Sequence, residues 1–487
     1  MSQARRIFKN FTILFACRIF VRIFSFILVI LIARLLGAVG MGRYSFVFSY
    51  VTLFTIFADF GINEMLIREI AKDKEHARAY VGSAFLVKGI LSSAVLLLLV
   101  LSVRFFEIPE GSYWAIAFWG MASLLSTLSG ILISLFRAYE RMEYEAAFQI
   151  LSTLLAALLG LAALLMGYGI TGIFLMYFVS HVFSFCFAVF LSFKTILKVR
   201  ILWEDFYRMG PLLRLALPFA WGAIFVAIYC RVDTVMLQFL RSEAEVGWYG
   251  APYRLIEVFL FIPGAFSMAV YPVMSRYYRE SKEKWHRLYQ YSLKVMFVSG
   301  LPIALGTVLI APQLIPLLFG GQFLKSIPAL QILVWRSFLA FLTGGVFASV
   351  IPSSYTVHYY NAFAFVAALI NISLNALLIP RYGYLGCCVA AVATELVVLA
   401  SVFFIFVRIL RQKASLRILG RPFLAGMVMF AAGWAVRSFP LYGILLVTAA
   451  VYTISVFALK VFTQDELEFL KSVFGKKFSG KSDILAR

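Results

Sequence analysis

The chain has 487 residues, 63% of them hydrophobic and only 14% charged, against roughly 25% charged in ordinary soluble domains. A soluble fold has nowhere to hide so much apolar surface, which excludes disordered, collagen-like and disulfide-scaffold chains and almost every soluble enzyme, and leaves an all-α polytopic membrane protein. The 44 Lys and Arg exceed the 23 Asp and Glu by 21, an excess that suits nucleic acid or a membrane surface until the charges are placed.

Fourteen stretches approach the roughly 20 apolar residues that a membrane-crossing helix needs. They run over residues 11–36, 44–62, 81–103, 114–136, 146–167, 172–193, 215–240, 248–274, 291–311, 328–352, 361–379, 386–407, 423–437 and 442–462. A membrane barrel would show alternating segments of about 10 residues instead. Arg5, Arg6 and Lys9 resemble the start of a signal peptide. The apolar run behind them is too long for one and lacks a small-residue cleavage site, so it reads as an uncleaved first span.

With the N-terminus inside, 29 of the 44 basic residues fall on inner loops and tails, seven outside and eight within spans. The charge excess is therefore mainly a topology signal, with both termini cytoplasmic. It leaves no basic, aromatic-studded soluble face for nucleic acid. The five cysteines, Cys17, Cys186, Cys230, Cys387 and Cys388, all lie in spans and show neither disulfide nor metal spacing. The four histidines are scattered, and His181 on the sixth span reads as a hydrogen-bonded packing residue.

Two short matches point to internal duplication. Gly42-Arg43-Tyr44 opens the second span and Gly247-Trp248-Tyr249 the eighth. Tyr168-Gly169-Ile170-Thr171-Gly172 and Tyr382-Gly383-Tyr384-Leu385-Gly386 join spans five to six and eleven to twelve. The chain then divides into an N-lobe (1–193), a cytoplasmic linker (194–214) with Trp203-Glu204-Asp205, a C-lobe (215–407), two further spans (408–462) and a tail (463–487). Parallel repeats of this kind are a common build of alternating-access transporters.

A charge at the bilayer centre costs roughly 2.5–3.5 kcal/mol on insertion scales, which marks it as a functional candidate. Arg18 and Arg22 share one face of the first span, roughly 10 and 16 Å into it. They read as an anion-binding pair in a hydrated cavity, or as partners of Asp59 on the second span. Arg254 and Glu257 are three apart and suited to pair with each other. Arg336 has no partner nearby in sequence and joins Arg254 as a cavity candidate. Lys294 and Lys460 lie near span ends, where they can snorkel, and Lys88 is deeper.

A second constellation lies in the C-lobe. Asp233, Asn371, Asn375 and Thr394 are all roughly 6–12 Å from the outer ends of their spans. Their oxygens suit a small hard cation, and ordinary interhelical polar packing suits them equally. Arg231 is close enough in sequence to neutralise Asp233.

Several segments resemble the polysaccharide (O-antigen type) flippases, of one superfamily with the multidrug and toxin extruders and the lipid II flippases. They are Ala33-Arg34-Leu35-Leu36-Gly37, Gly42-Arg43-Tyr44, Ala58-Asp59-Phe60-Gly61 and Arg68-Glu69 in the first half. Arg231-Val232-Asp233, Leu318-Phe319-Gly320 and Pro380-Arg381-Tyr382-Gly383 are similar to second-half signatures. The resemblance implies fourteen helices in two pseudo-symmetric six-helix lobes plus two C-terminal helices. It implies a flippase in the cytoplasmic membrane that exports a polyprenyl-pyrophosphate-linked oligosaccharide, beside glycan-assembly machinery. Arg18 and Arg22 match the intracavity arginines of lipid II flippases. Asp233, Asn371, Asn375 and Thr394 resemble a sodium site of that family, with Asn375 where relatives carry a carboxylate, so sodium or a proton is the expected coupling ion. No cofactor is implied.

The competing readings are a lipid II flippase, a cation antiporter of the multidrug-extruder type, a membrane glycosyltransferase or polymerase, and a membrane scaffold. An antiporter would line its cavity with carboxylates. An enzyme would place acids or histidines on a large outer loop. The longest outer connection, about 311–327, carries none. A scaffold has no use for buried arginines.

Overall fold

The computed structural model describes residues 3–468 apart from 107, 109, 110, 197–201, 351–353, 410, 412–416, 465 and 467. Side chains of 3–12, 14, 345–350, 354–357, 360 and 409 are not described. The tail beyond 468 and the middle of the 194–214 linker therefore lie outside the described residues.

The apolar runs form helices, because in lipid every backbone polar group must be satisfied within the segment. In chain order they are α1 (Gln3–Asp59), α2 (Ile62–Lys72), α3 (Ala77–Phe105), α4 (Tyr113–Ala138), α5 (Met142–Leu165), α6 (Gly169–Thr195), α7 (Glu204–Tyr207) and α8 (Met209–Leu240). Next come α9 (Glu243–Phe259), α10 (Phe261–Glu280), α11 (Lys282–Phe319), α12 (Ser326–Val350), α13 (Ser354–Tyr382), α14 (Tyr384–Phe404), α15 (Gly420–Ala435) and α16 (Leu441–Ala458). Thirteen helical segments among the described residues are long and apolar enough to cross a membrane.

The first of these, Phe15–Lys72, contains two of the fourteen expected spans, because α1 breaks at Gly37. There φ is 67°, a left-handed value that glycine adopts without strain. A Cβ on Gly37 would also lie 2.3 Å from Gln322 Oε1. The loop expected at 311–327 is shorter than the sequence suggested. Helix α11 continues through Pro312 and Pro316 to Phe319, leaving a tight turn before α12.

The packing defines two groups of helices. Helices α1 and α3–α6 pack on one another, as do α8 and α11–α14, while α15 and α16 lean on α11. One hydrophobic cluster joins both groups near the end with few charges, through Leu28, Val47, Ile173, Tyr249, Ile315 and Cys387. Toward the basic end the clusters separate. One contains Met65, Val81 and Ile131, and another Met274, Trp285 and Phe406. The groups share one core at the sparsely charged end, while at the basic end Leu212 and Ala216 of α8 join the first cluster and Phe15 and Arg18 of α1 reach Phe261 and Met268 of α10.

The meeting point is a reciprocal helix crossing. A Cβ on Gly42 would lie 1.9 Å from the Glu243 carbonyl oxygen, and one on Gly247 would lie 1.9 Å from that of Ala38. Gly42 and Gly247 are the repeat-equivalent glycines, and Ala38 and Glu243 stand four residues before each. The same contact thus occurs twice, once from each side, as a two-fold relation between the groups requires. Arg43 Nε donates to Glu243 Oε2 at 2.8 Å across the crossing. Arg34 donates from Nε to the Leu318 carbonyl at 2.8 Å, and its Nη2 donates to that of Leu317. A cation placed on the last carbonyls of α11 satisfies groups that the helix itself cannot.

At the basic end the connection into α8 docks on α3. Asp205 is fully buried, accepts from Arg78 at 3.3 and 3.5 Å, and accepts from the Leu202 amide at 2.9 Å. Deep in the first group, Lys88 Nζ donates to Asp59 Oδ1 at 2.5 Å, Asn63 Oδ1 at 2.8 Å and the Thr127 carbonyl at 3.0 Å. Asp59 therefore pairs with Lys88 and not with Arg18 or Arg22. Removing one partner of a buried pair costs about 3–5 kcal/mol. Lys88→Met is expected to lower the detergent melting temperature strongly, and Asp59→Asn in that background to recover part of the loss. A double variant no more stable than Lys88→Met would show that the two charges do not balance each other. Lys294 does not snorkel. It is buried and paired with Glu466 at 2.7 and 2.9 Å, beyond the last span.

Candidate functional site

Between the two groups lies a cavity of about 330 Å³. Its walls come from both limbs of α1, from α4, α5 and α6, and from α9. Arg22, Arg254 and Glu257 are its charged lining residues, joined by Tyr44, Phe48, Trp119, Tyr177, His181, Ser152 and Thr153.

Arg22 is solvent-exposed and reaches this space from the middle of the first limb of α1. Arg18, one turn toward the basic end, is half-buried with Nη1 3.0 Å from Met268 Sδ of α10, and it is not among the lining residues. The pair shares a helix, but Arg22 alone of the two faces the cavity.

Arg254 and Glu257 pair as their spacing suggested, at 3.0 Å. The pairing goes further: Arg231 of α8 donates to the other oxygen of Glu257, also at 3.0 Å. One carboxylate therefore holds two guanidiniums, and Arg231 neutralises Glu257 instead of Asp233. The Arg254 guanidinium lies 4.1 Å from the Phe48 ring centroid and that of Arg231 lies 5.2 Å from it. This cation–π contact joins the two helix groups. With Arg22, three guanidiniums surround one carboxylate, an excess of two positive charges, with Arg22 and Arg254 lining the cavity and Arg231 held behind Glu257. Five N–H donors in a rigid fork make each guanidinium a matched partner for phosphate oxygens.

Arg336 is not a cavity residue. It lies buried on α12, with Nε 3.7 Å from Glu395 Oε2 of α14. Its Nη1 donates to the Tyr253 hydroxyl at 2.5 Å, and Nη2 lies 3.4 Å from Cys230 Sγ. The Tyr253 hydroxyl in turn donates to the Cys230 carbonyl at 2.9 Å. Glu395 is invisible as its partner in the sequence because 59 residues separate them.

The second constellation is brought together only in part. Asn371 Nδ2 donates to Thr394 Oγ1 at 3.0 Å, and Asn375 Nδ2 donates to Asn371 Oδ1 at 3.0 Å. All three are buried, and Asn375 Oδ1 has no hydrogen-bond partner among the described residues. Asp233 stands in an adjoining set. Its carboxylate accepts from the Thr234 amide at 2.6 Å, from the Thr234 hydroxyl at 3.2 Å and from the Tyr249 hydroxyl. Three donors already satisfy it. His181 Nδ1 bonds the Tyr177 carbonyl at 2.7 Å, in a packed aromatic cluster with Trp119. Among the described residues no three His, Cys, Asp or Glu side chains converge as a metal site.

Residues 7–278, more than half of the chain, match the family described as "Polysaccharide biosynthesis protein". The chain belongs to that family. It is 18% identical to the capsular polysaccharide biosynthesis protein CapF of Staphylococcus aureus, over 82% of this chain and 99% of the relative. It is 25% identical to the probable flippase AglR of Haloferax volcanii over 53% of each chain. Among solved structures, a lipid II flippase MurJ in an inward closed conformation superposes with a TM-score of 0.76 at 15% identity, covering 91% of this chain and 98% of that one. An inward-facing multidrug transporter of the MATE family gives 0.67 at 16% identity, covering 80% and 94%. The fold is the all-α MurJ- and MATE-like transporter fold expected from the sequence. The chain is a multi-pass membrane protein of the transporter type and not an enzyme.

Proposed function

We propose that the protein is a flippase for a glycan linked to a polyprenyl pyrophosphate, and that the cavity between the helix groups holds the pyrophosphate. The observation that carries this reading is the arrangement of Arg22, Arg231 and Arg254 around the single carboxylate of Glu257. A headgroup with two negative charges balances that excess, whereas a cationic drug is repelled by it. The relatives named as capsular polysaccharide protein, flippase and lipid II flippase support the same class of cargo.

The basic end would face the cytoplasm, with both chain termini on that side of the cytoplasmic membrane. The cavity would open to the inner leaflet once the contacts of Phe15 and Arg18 with α10 at the basic end part. Polyprenyl tails would stay in lipid while the headgroup enters. Closure at the basic end and release of the crossing near Gly42 and Gly247 would turn the cavity outward. No bond is made or broken.

The test is transport of a fluorescent lipid-linked oligosaccharide in proteoliposomes. Arg22→Ala is expected to reduce transport about 10- to 100-fold, because a charge-assisted contact to phosphate is worth roughly 1.5–3 kcal/mol. The variant should insert and melt like the parent. Normal transport by Arg22→Ala would remove the anion reading.

The coupling ion would be sodium or a proton. A cation would find the unpartnered Asn375 Oδ1 with Asn371 and Thr394 beside it, and would gain Asp233 when the Tyr249 hydroxyl turns away. Asp233→Asn is expected to abolish any dependence of transport on a sodium gradient. An unchanged sodium response in proteoliposomes would exclude Asp233 from coupling.

A further inference from the structure

Arg336 makes its best contacts away from its counter-ion. It is buried on α12, and its approach to Glu395, 3.7 Å from Nε, is longer than a hydrogen bond. Nη1 instead donates to the Tyr253 hydroxyl at 2.5 Å, and Nη2 lies 3.4 Å from Cys230 Sγ. An ion pair that served burial alone would turn the flat guanidinium fork onto both carboxylate oxygens. Here Glu395 balances the charge, while the directed bonds go to α9 and α8.

Tyr253 collects these bonds. Its hydroxyl accepts from Arg336 and donates to the Cys230 carbonyl at 2.9 Å, so α12, α9 and α8 meet at one oxygen. Its ring serves two guanidiniums, with the centroid 5.0 Å from that of Arg336 and 5.9 Å from that of Arg231. Arg231 bonds one oxygen of Glu257 at 3.0 Å, and Arg254 bonds the other at 3.0 Å. A continuous chain therefore runs from Arg336 through Tyr253, Arg231 and Glu257 to Arg254. It starts outside the cavity and ends on its wall.

The backbone of α9 makes this chain matter. Pro252 stands beside Tyr253 inside the helix. A proline in a helix interior removes one of the helix's own hydrogen bonds. The course of α9 at this level then leans on its neighbours. Tyr253 and Glu257 are four apart, so they share a face of α9, and whatever holds one bears on the other.

We propose that Arg336 is a positioning residue for the anion cavity. Through Tyr253 it fixes Arg231 and Glu257, and so sets where Arg254 stands on the cavity wall. Through Glu395 that setting also depends on how α14 lies against α12. The proposal rests on the pyrophosphate reading and adds to it a control that acts from outside the cavity.

A continuous chain of contacts does not by itself show that energy passes along it, so the test measures coupling. Binding of polyprenyl pyrophosphate to the full chain in nanodiscs is followed together with the melting temperature. Tyr253→Phe keeps the ring and removes the hydroxyl, and it is expected to weaken binding about tenfold, the scale of one hydrogen bond to a charged group. Replacing Arg336 and Glu395 together with methionine removes both charges at similar volume, a change that is often neutral for stability. This double variant should melt near the parent and show the same loss of affinity. Adding Tyr253→Phe to it should weaken binding no further.

The decisive background is Glu257→Gln, whose amide nitrogen cannot accept from the second arginine and so interrupts the chain. There Tyr253→Phe should change affinity by less than about twofold. An equal loss in both backgrounds would make Tyr253 a general packing residue and overturn the proposal. Parental binding by Tyr253→Phe would overturn it too. Arg22 stands outside the chain, so the loss from Arg22→Ala should add in full to that from Tyr253→Phe. Parental binding by Arg22→Ala would sink the pyrophosphate reading itself, whereas a loss there with none in Tyr253→Phe would sink only the role given to Arg336.

Discussion

Replacing Gly247 with leucine is expected to leave a chain that inserts into the membrane, cannot close its sparsely charged end and transports no glycan. Even a single Cβ at this position would stand 1.9 Å from the Ala38 carbonyl oxygen. The obstacle is helix backbone, so no side-chain rotation relieves it. Overpacking a core costs typically 1–3 kcal/mol where side chains can adjust. Here the two helices must separate, and that would also break the Arg43–Glu243 pair and loosen Arg34 from the end of α11. Gly42→Leu should behave alike, because the Glu243 carbonyl oxygen stands 1.9 Å from its Cβ position. Accessibility is the direct readout. Ser45 is buried beside Gly250 in the same crossing. Ser45→Cys should resist a membrane-impermeant maleimide in the parent and react in the Gly247→Leu background. A cysteine at Ser45 that stays protected while transport continues would show that this crossing does not have to open or close.

The repeat that this crossing displays is legible in the sequence, because Gly42 and Gly247 sit in matching triplets. Their meeting face to face is not, since no sequence pattern says which surfaces of two lobes touch. The spans are legible throughout, because lipid imposes length and apolarity on every helix. Their ends are less so. Helix α11 outruns its apolar stretch, carried on by packing that hydropathy does not report. In the site, legibility falls with sequence separation. Arg254 and Glu257 lie three apart on one helix, so helical geometry announces their pairing. Arg231 with Glu257, Arg336 with Glu395 and Lys88 with Asp59 are separated by 26, 59 and 29 residues. Each of these partners is chosen by tertiary packing, which is why sequence alone makes Arg336 a cavity residue and Asp59 a partner of Arg22. A charged residue within a span marks a position that needs compensation. The sequence does not say whether a ligand or another side chain provides it.

At Glu257 both kinds of compensation meet. Its two oxygens hold Arg231 and Arg254 at 3.0 Å each, so it positions the guanidiniums that would take the pyrophosphate and also competes with that ligand for them. Glu257→Leu should be severely destabilising, by about 3–5 kcal/mol, because it leaves two guanidiniums in the protein interior without their carboxylate. Glu257→Gln separates the two roles, since the amide keeps the shape and one acceptor oxygen but gives up the charge. The ligand then meets Arg22 and Arg254 on the cavity wall, with Arg231 behind them and no internal anion to displace. Its affinity for polyprenyl pyrophosphate is expected to rise about tenfold, or roughly 1.4 kcal/mol. Transport should nevertheless slow, because tighter holding of the cargo in the inward state deepens the well from which each cycle must climb. Equilibrium binding and initial transport rates on one preparation of Glu257→Gln would decide it, with the melting temperature as a control for folding. Weaker binding would mean that Glu257 serves the site chiefly by holding its arginines in place. Tighter binding with slower turnover would mean that the carboxylate is what allows the cargo to leave.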